Sequence, residues 1–214
     1  MLRGIFLFSC LLGAAFAANS ANQYIDNVLQ TSLGRELQNY GLIPARLANF
    51  STSIGASGVY RNVGVAVFSN GNGTGFDRIK RKGDCSGPRN VRGEITINCT
   101  LSVFPIVTAY KTTIKNGSHV YYAANQGHVG ETLLRLEVAG RPQNYIGFVK
   151  SFSVQSLGQI TSTFSQLPPA FAKYLKVLQD AHRTNVTTQL FNLLNRNYAS
   201  AMGRALANKP MPRQ

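Results

Sequence analysis

The residues able to do acid–base or nucleophilic chemistry are few and poorly spaced for it. The 214-residue chain carries three histidines and eight Asp+Glu residues. Of His119, His128 and His182, only His182 has a carboxylate nearby, Asp180, and residues two apart on a helix do not face each other. Gly55-Ala56-Ser57-Gly58 falls short of a G-x-S-x-G nucleophile elbow. Gly71, Gly73 and Gly75 do not make a dinucleotide fingerprint, because Phe76 occupies the third glycine's region and no apolar helix follows. Asn70-Gly71-Asn72-Gly73 instead reads as a turn. Two cysteines beyond the N-terminal segment, with scattered histidines, lack the usual spacing of a zinc site. The expectation is a chain without catalysis, metal or cofactor.

The chemistry that remains is covalent and electrostatic. Met1-Leu2-Arg3, a short apolar run through Ile5 to Phe8 and Leu11-Leu12, and Ala15-Phe16-Ala17 follow the order of a secretory signal. Residues 1–17 are therefore expected to be a cleaved signal peptide and the protein to be extracellular. Five N-x-S/T sequons, at Asn49, Asn72, Asn98, Asn116 and Asn185, agree with that route. Cys10 would leave with the signal, and the remaining pair, Cys85 and Cys99, would form one disulfide in an oxidising compartment.

The formal net charge is +14. A secreted glycoprotein rarely meets nucleic acid, so anionic lipid or a microbial surface is the better match for that charge. The run Arg78-Ile79-Lys80-Arg81-Lys82, with Arg89 and Arg92 nearby, reads as an exposed loop tip between strands. It is suited either to holding anionic headgroups or simply to solvation.

Elements that would position these groups follow from periodicity. Ile25, Val28-Leu29, Leu33, Leu37 and Tyr40 recur at helical spacing from Tyr24 to Tyr40, with Gly41 as the stop and Pro44 beyond. The period then falls to two. Val59, Val63, Val65 and Val67 share one strand face, and Val91 to Val107 forms the clearest strand, with Ile95, Ile97, Cys99, Leu101 and Val103 on its apolar face. Tyr110–Lys115 and His119–Ala124 flank Asn116-Gly117-Ser118 as a hairpin, and further strands are centred on Leu136 and Phe152. From Pro168-Pro169 to about Leu206 the pattern is helical again. Its stripe includes Leu178, Val186, Leu190, Leu193, Leu194 and Tyr198, and a kink or a restart is expected at Thr184–Thr188. Residues 18–208 make one domain, and 209–214 read as a disordered tail.

A helix, long antiparallel strands and a very long amphipathic C-terminal helix, in a secreted chain, resemble the tubular lipid-binding (TULIP) superfamily. The segment Glu36-Leu37-Gln38-Asn39-Tyr40-Gly41-Leu42-Ile43-Pro44 is similar to the passage from first helix to first strand in its single-domain arthropod branch. That branch includes the mite group 7 allergens and the juvenile-hormone-binding or takeout-like proteins. The lack of cysteine between Ala18 and Asp84 departs from the takeout-like pattern and favours the mite-allergen-like side. The resemblance implies an α+β fold, with a curved antiparallel sheet rolled around the C-terminal helix. It also implies a tunnel for lipids or other hydrophobic small molecules, held by sequestration or carried. Apolar lining candidates are Val65, Val67, Ile95, Ile97, Leu101, Val103, Leu190, Leu193 and Leu194. The apolar faces alone are equally those of a dry core. The alternative role is innate defence, with anionic microbial lipids bound through the basic surface and no cargo.

Overall fold

The computed structural model describes residues 19–55, 64–91, 93–141, 144–207 and 209–212. The expected signal peptide, Val59, Val63 and Arg92 lie outside them. Helix α1 spans residues 19–39, with a π-type turn at Val28–Leu33. It buries Ile25, Val28, Leu33 and Leu37. The helix ends because Gly41 adopts φ +64°. That conformation lets Gly41 N–H donate to Gln38 O at 2.9 Å and Leu42 N–H to Leu37 O at 2.8 Å, the paired bonds of a Schellman stop.

The strands are β1 (Ala45–Leu47), β2 (Phe50–Ile54), β3 (Gly64–Thr74), β4 (Ile79–Arg81), β5 (Arg89–Val91), β6 (Glu94–Val103), β7 (Ile106–Asn116), β8 (His119–Val129), β9 (Thr132–Gly140), β10 (Gly147–Ser156) and β11 (Ile160–Ser165). They form two antiparallel sheets. One has the order β1-β3-β7-β8-β11, with β2 also on β3; the other is β10-β9-β6-β4, with β5 also on β6.

The two orders are one meander folded along a crease. Four long runs, β3–β4, β6–β7, β8–β9 and β10–β11, each pass from one sheet to the other at the same level. Glycine and proline sit where the runs bend. A Cβ on Gly75 would lie 2.0 Å from Pro105 O, and one on Gly158 would lie 2.1 Å from Gly130 O. The backbones at the crease thus approach more closely than any side chain permits.

Helix α2 runs over residues 169–207. It opens as a 3-10 turn (Pro169–Tyr174), continues as α-helix (Leu175–Leu193), passes a π-type turn (Leu194–Tyr198) and ends at Ala199–Ala207. It buries Leu178, His182, Val186, Leu190, Leu194 and Tyr198 in the same core as the inner sheet faces. Tyr198 OH donates to Phe76 O at 3.0 Å and pins the helix beside the crease. The fold is α+β: an N-terminal helix, large antiparallel sheets and a long C-terminal helix. That is the arrangement the resemblance implied.

Several local expectations are corrected. Asn70–Gly73 is not a turn but lies within β3, where the β3–β7 register slips between Ser69 and Asn72. Asn70 takes φ +53°, and its N–H donates to Asn49 Oδ1 at 3.1 Å. Val91 to Val107 is not one strand, because β5 folds back on β6 and the crease at Phe104-Pro105 starts β7. The helix does not break and restart at Thr184–Thr188: Thr188 Oγ1 donates to Thr184 O and Asn185 Nδ2 to Ala181 O, within one continuous α-segment. The tail is not loose over 209–212. Met211 is buried and its N–H donates to Tyr145 O at 2.7 Å, with its side chain against Gly140 and Gly147.

Candidate functional site

Alternation aims the inner positions of the first sheet at helix α2. On β7 these are Ile106, Thr108, Tyr110, Thr112 and Ile114; on β8 they are Ala123, Asn125, Gly127 and Val129. The register sets Thr108 opposite Gly127, Tyr110 opposite Asn125 and Thr112 opposite Ala123. Ser162 on β11 lies opposite Gly127 from the other side. A patch of hydroxyls and an amide is therefore built into the wall of an apolar interior.

His182 comes down from α2 onto this patch with no solvent exposure. Its ring centroid is 5.7 Å from that of Tyr110, 6.1 Å from Phe68 and 6.5 Å from Phe50. Gly127 makes room for it, since a Cβ there would lie 2.6 Å from His182 Cε1. Burial lowers the His182 pKa to about 4, so the ring is neutral at pH 7. Tyr110, whose OH donates to Gln189 Oε1 at 3.4 Å, is pushed up to about 12 by burial.

Asn125 Nδ2 donates to Ser162 Oγ at 2.9 Å and to Thr163 O at 3.1 Å. A carbonyl only accepts, so this pair of bonds fixes the amide orientation and leaves Asn125 Oδ1 as the other end. Among the described residues, four buried side-chain polar atoms have no hydrogen-bond partner: Thr112 Oγ1, Asn125 Oδ1, His182 Nδ1 and His182 Nε2. All four belong to this one patch. Two amides on α2 hold the helix to its surroundings: Gln179 Nε2 donates to Ser162 O, and Gln189 Nε2 donates to Ala48 O while its Oε1 accepts from Ala48 N–H.

The apolar candidates divide. Ile95, Ile97, Leu101, Val103, Leu190 and Leu194 lie in one core, none more than 3% exposed, and Leu193 packs against it half-buried. Val65 and Val67 are a correction. They face outward on β3, and the inner face carries Gly64, Ala66 and Phe68. Volume decided this, because a Cβ on Gly64 would already meet Ile54 Cγ1 at 3.0 Å and Lys115 O at 2.9 Å. Two grooves are open at the surface: one of about 550 Å³ around Asn70, Asn72, Lys111 and Gln126, whose lining also includes Tyr110 and Asn125, and one of about 720 Å³ around Arg46 and Asn49.

The basic run is also corrected. It is not a loop tip, because Ile79–Arg81 is paired to β6. Arg81 meets Asp26 at 3.0 Å and Asp84 at 3.4 Å, and Lys82 is bonded to Glu131. Lys82, then Ser102, hold the Glu131 carboxyl below its ordinary range. Arg78, Lys80 and Arg89 are exposed; none of them forms a close ion pair among the described residues, though Lys80 adds to the field that lowers the Glu131 carboxyl. Cys85 and Cys99 are bonded, as expected. Of the sequon asparagines, Asn49, Asn72 and Asn116 are exposed and Asn98 and Asn185 are half-buried.

Sequence reasoning missed Thr112, Asn125 and Ser162. Alternation along β7 places Thr108 and Thr112 on the face of Ile106 and Ile114, which was a usable signal. Nothing comparable marked Asn125.

No helix among the described residues is long and apolar enough to cross a membrane. No family model matches the chain, and no curated protein matches it in sequence. Eighteen chains of solved structures match its fold. One is lipopolysaccharide binding protein, similar over 87% of this chain and 40% of its own, at 12% identity and a TM-score of 0.46. This chain therefore spans less than half of that relative. Another is Takeout 1 of Epiphyas postvittana, similar over 86% of this chain and 91% of its own, at 11% identity and a TM-score of 0.43. At such identities and scores neither likeness bears on ligand or role.

Proposed function

We propose that the chain is a secreted, non-catalytic binding protein for a lipid or other hydrophobic small molecule, held between helix α2 and the sheets and acting by sequestration or transport. The observation that carries this reading is the grouping of the four unpartnered polar atoms under the helix. A filled apolar core excludes such atoms or pairs them, since each costs about 1–3 kcal/mol when left unsatisfied. Grouped as they are, they suit the polar end of an otherwise apolar guest. Membership of the arthropod branch of the tubular lipid-binding proteins is part of the proposal. The exposed Arg78, Lys80 and Arg89 favour a supplementary reading, attraction to anionic lipid surfaces.

Mass spectrometry of organic extracts from the natively secreted protein tests the main reading. A stoichiometric lipid-like species supports it. Protein that yields none, and that takes up no N-phenyl-1-naphthylamine when titrated, has a filled core and refutes it.

A further inference from the structure

Resting on that reading, the polar patch specifies the kind of guest. Thr112 and Asn125 occupy neighbouring inner positions on adjacent strands, with Thr112 opposite Ala123 and Asn125 opposite Tyr110. His182 lies against residues bracketing both: Phe68, which pairs with Thr112, Tyr110, which pairs with Asn125, and Gly127, two along from Asn125. The three side chains therefore share the stretch of the inner sheet face between the Thr112–Ala123 and Thr108–Gly127 pairs, under α2.

Their unused capacity is mixed. Thr112 Oγ1 donates one hydrogen bond and accepts others, Asn125 Oδ1 accepts, and a neutral imidazole donates through one nitrogen and accepts through the other. No Lys or Arg belongs to the patch. The rings around His182 are Phe50, Phe68 and Tyr110. An ionised carboxylate or phosphate placed there would be a buried charge whose one candidate counter-ion, His182, is itself held neutral by burial, so that pairing them would bury two charges. A plain hydrocarbon would leave every polar atom unsatisfied. A hydroxyl both donates and accepts, and so matches the set.

We infer that Thr112, Asn125 and His182 select a neutral apolar guest bearing a hydroxyl group, of the fatty-alcohol or sterol class, over the corresponding anion. The exposed cations Arg78, Lys80 and Arg89 lie on β4, β5 and the segment before β4, none of them among the strands that carry the patch.

The test is displacement of N-phenyl-1-naphthylamine from the full-length secreted protein at pH 7.5 by 1-dodecanol, dodecanoate and dodecane. The expected result is that dodecanol displaces the probe at least tenfold more tightly than either competitor. Thr112→Val and His182→Phe should each reduce that preference to threefold or less while the probe itself still binds. Either variant suffices if the other does not fold. Equal displacement by all three, or tighter displacement by dodecanoate, overturns the inference and leaves the hydrophobic-binding reading standing. So does a preference that survives both substitutions. A wild type that never takes up the probe overturns both at once.

Discussion

The protonation of His182 ties the stability of the protein to pH in a way that can be worked out in advance. The ring is fully buried and neither nitrogen has a partner among the described residues. Its pKa falls from 6.5 to about 4, with burial as the cause. Between those values the unfolded chain binds a proton that the folded chain refuses, so stability rises with pH across the interval. The contribution is fully present above pH 6.5 and drains away as the pH falls toward 4. At about 1.4 kcal/mol per pH unit once the unfolded side chain is protonated, the fall from 7.5 to 5 costs about 2 kcal/mol. That is a large share of the roughly 5–15 kcal/mol that stabilises an ordinary domain. Urea denaturation at pH 7.5, 6.5, 5.5 and 5.0 should show this loss in the wild type. His182→Phe and His182→Leu, whatever their absolute stability, should lose about 2 kcal/mol less over the same range. The histidine Cε1 proton resonance should confirm the assignment by titrating near 4. Parallel stability curves for wild type and both variants, or a His182 resonance titrating near 6.5, would refute the reasoning and mean that water reaches the ring.

Other outcomes follow from packing and charge. Gly158→Ala forces a methyl to within 2.1 Å of Gly130 O and should destabilise by about 3 kcal/mol or more, whereas Gly34→Ala, on an exposed helical site with nothing within 4 Å, should stabilise by about 0.5–1 kcal/mol; a urea titration of the pair checks both signs. Met211→Ala empties a buried slot between Gly140 and Gly147 and should cost about 2–5 kcal/mol, while a midpoint unchanged from wild type would mean that the tail does not dock. Replacing Arg78, Lys80 and Arg89 together by Ser should weaken sedimentation with phosphatidylglycerol vesicles and flatten its dependence on salt. Replacing Arg81 alone should instead lower stability through loss of the Asp26 ion pair; vesicle binding untouched by the triple change would remove the membrane-attraction reading.

What was legible in the sequence was whatever local periodicity decides. The stripe of α2, the Gly41 stop, the hairpin at Asn116–Ser118 and the alternation of β6 and β9 all depend on neighbours in the chain, and all appear in the fold. What was not legible depended on partners far away. Asn70-Gly71 has the composition of a tight turn, yet a bulge prevails because Asn49 accepts the Asn70 N–H and a Cβ on Gly71 would meet the Tyr110 ring at 2.3 Å. Lys80-Arg81-Lys82 looks like a free basic loop until Asp26 and Glu131, 55 and 49 residues away, are brought to Arg81 and Lys82. The crease exists only once four long runs are in register.

The polar patch was hidden for a more instructive reason. On β8 the polarity is mixed on both faces: Val120 and Tyr122 face solvent beside Gln126 and His128, Tyr122 at 72% exposure, while Asn125 and Gly127 face the core beside Ala123 and Val129. A period-2 reading of residues 119–124 alone takes Val120, Tyr122 and Ala124 for the inner set and assigns this stretch backwards. Exposing Val120 and Tyr122 and burying Asn125 each run against the hydrophobic driving force, so apolar burial alone does not account for these positions. Gly127 admits a histidine ring that no other inner residue could admit, and Asn125 spends its donors on β11 and keeps its acceptor for the interior. The same strand thus gives up apolar burial at two consecutive inner positions, and one of them, Gly127, lies directly against the His182 ring. The glycine is accounted for by the ring it admits, whereas the inward acceptor of Asn125 has no partner among the described residues, and it is this atom that the proposed guest would satisfy.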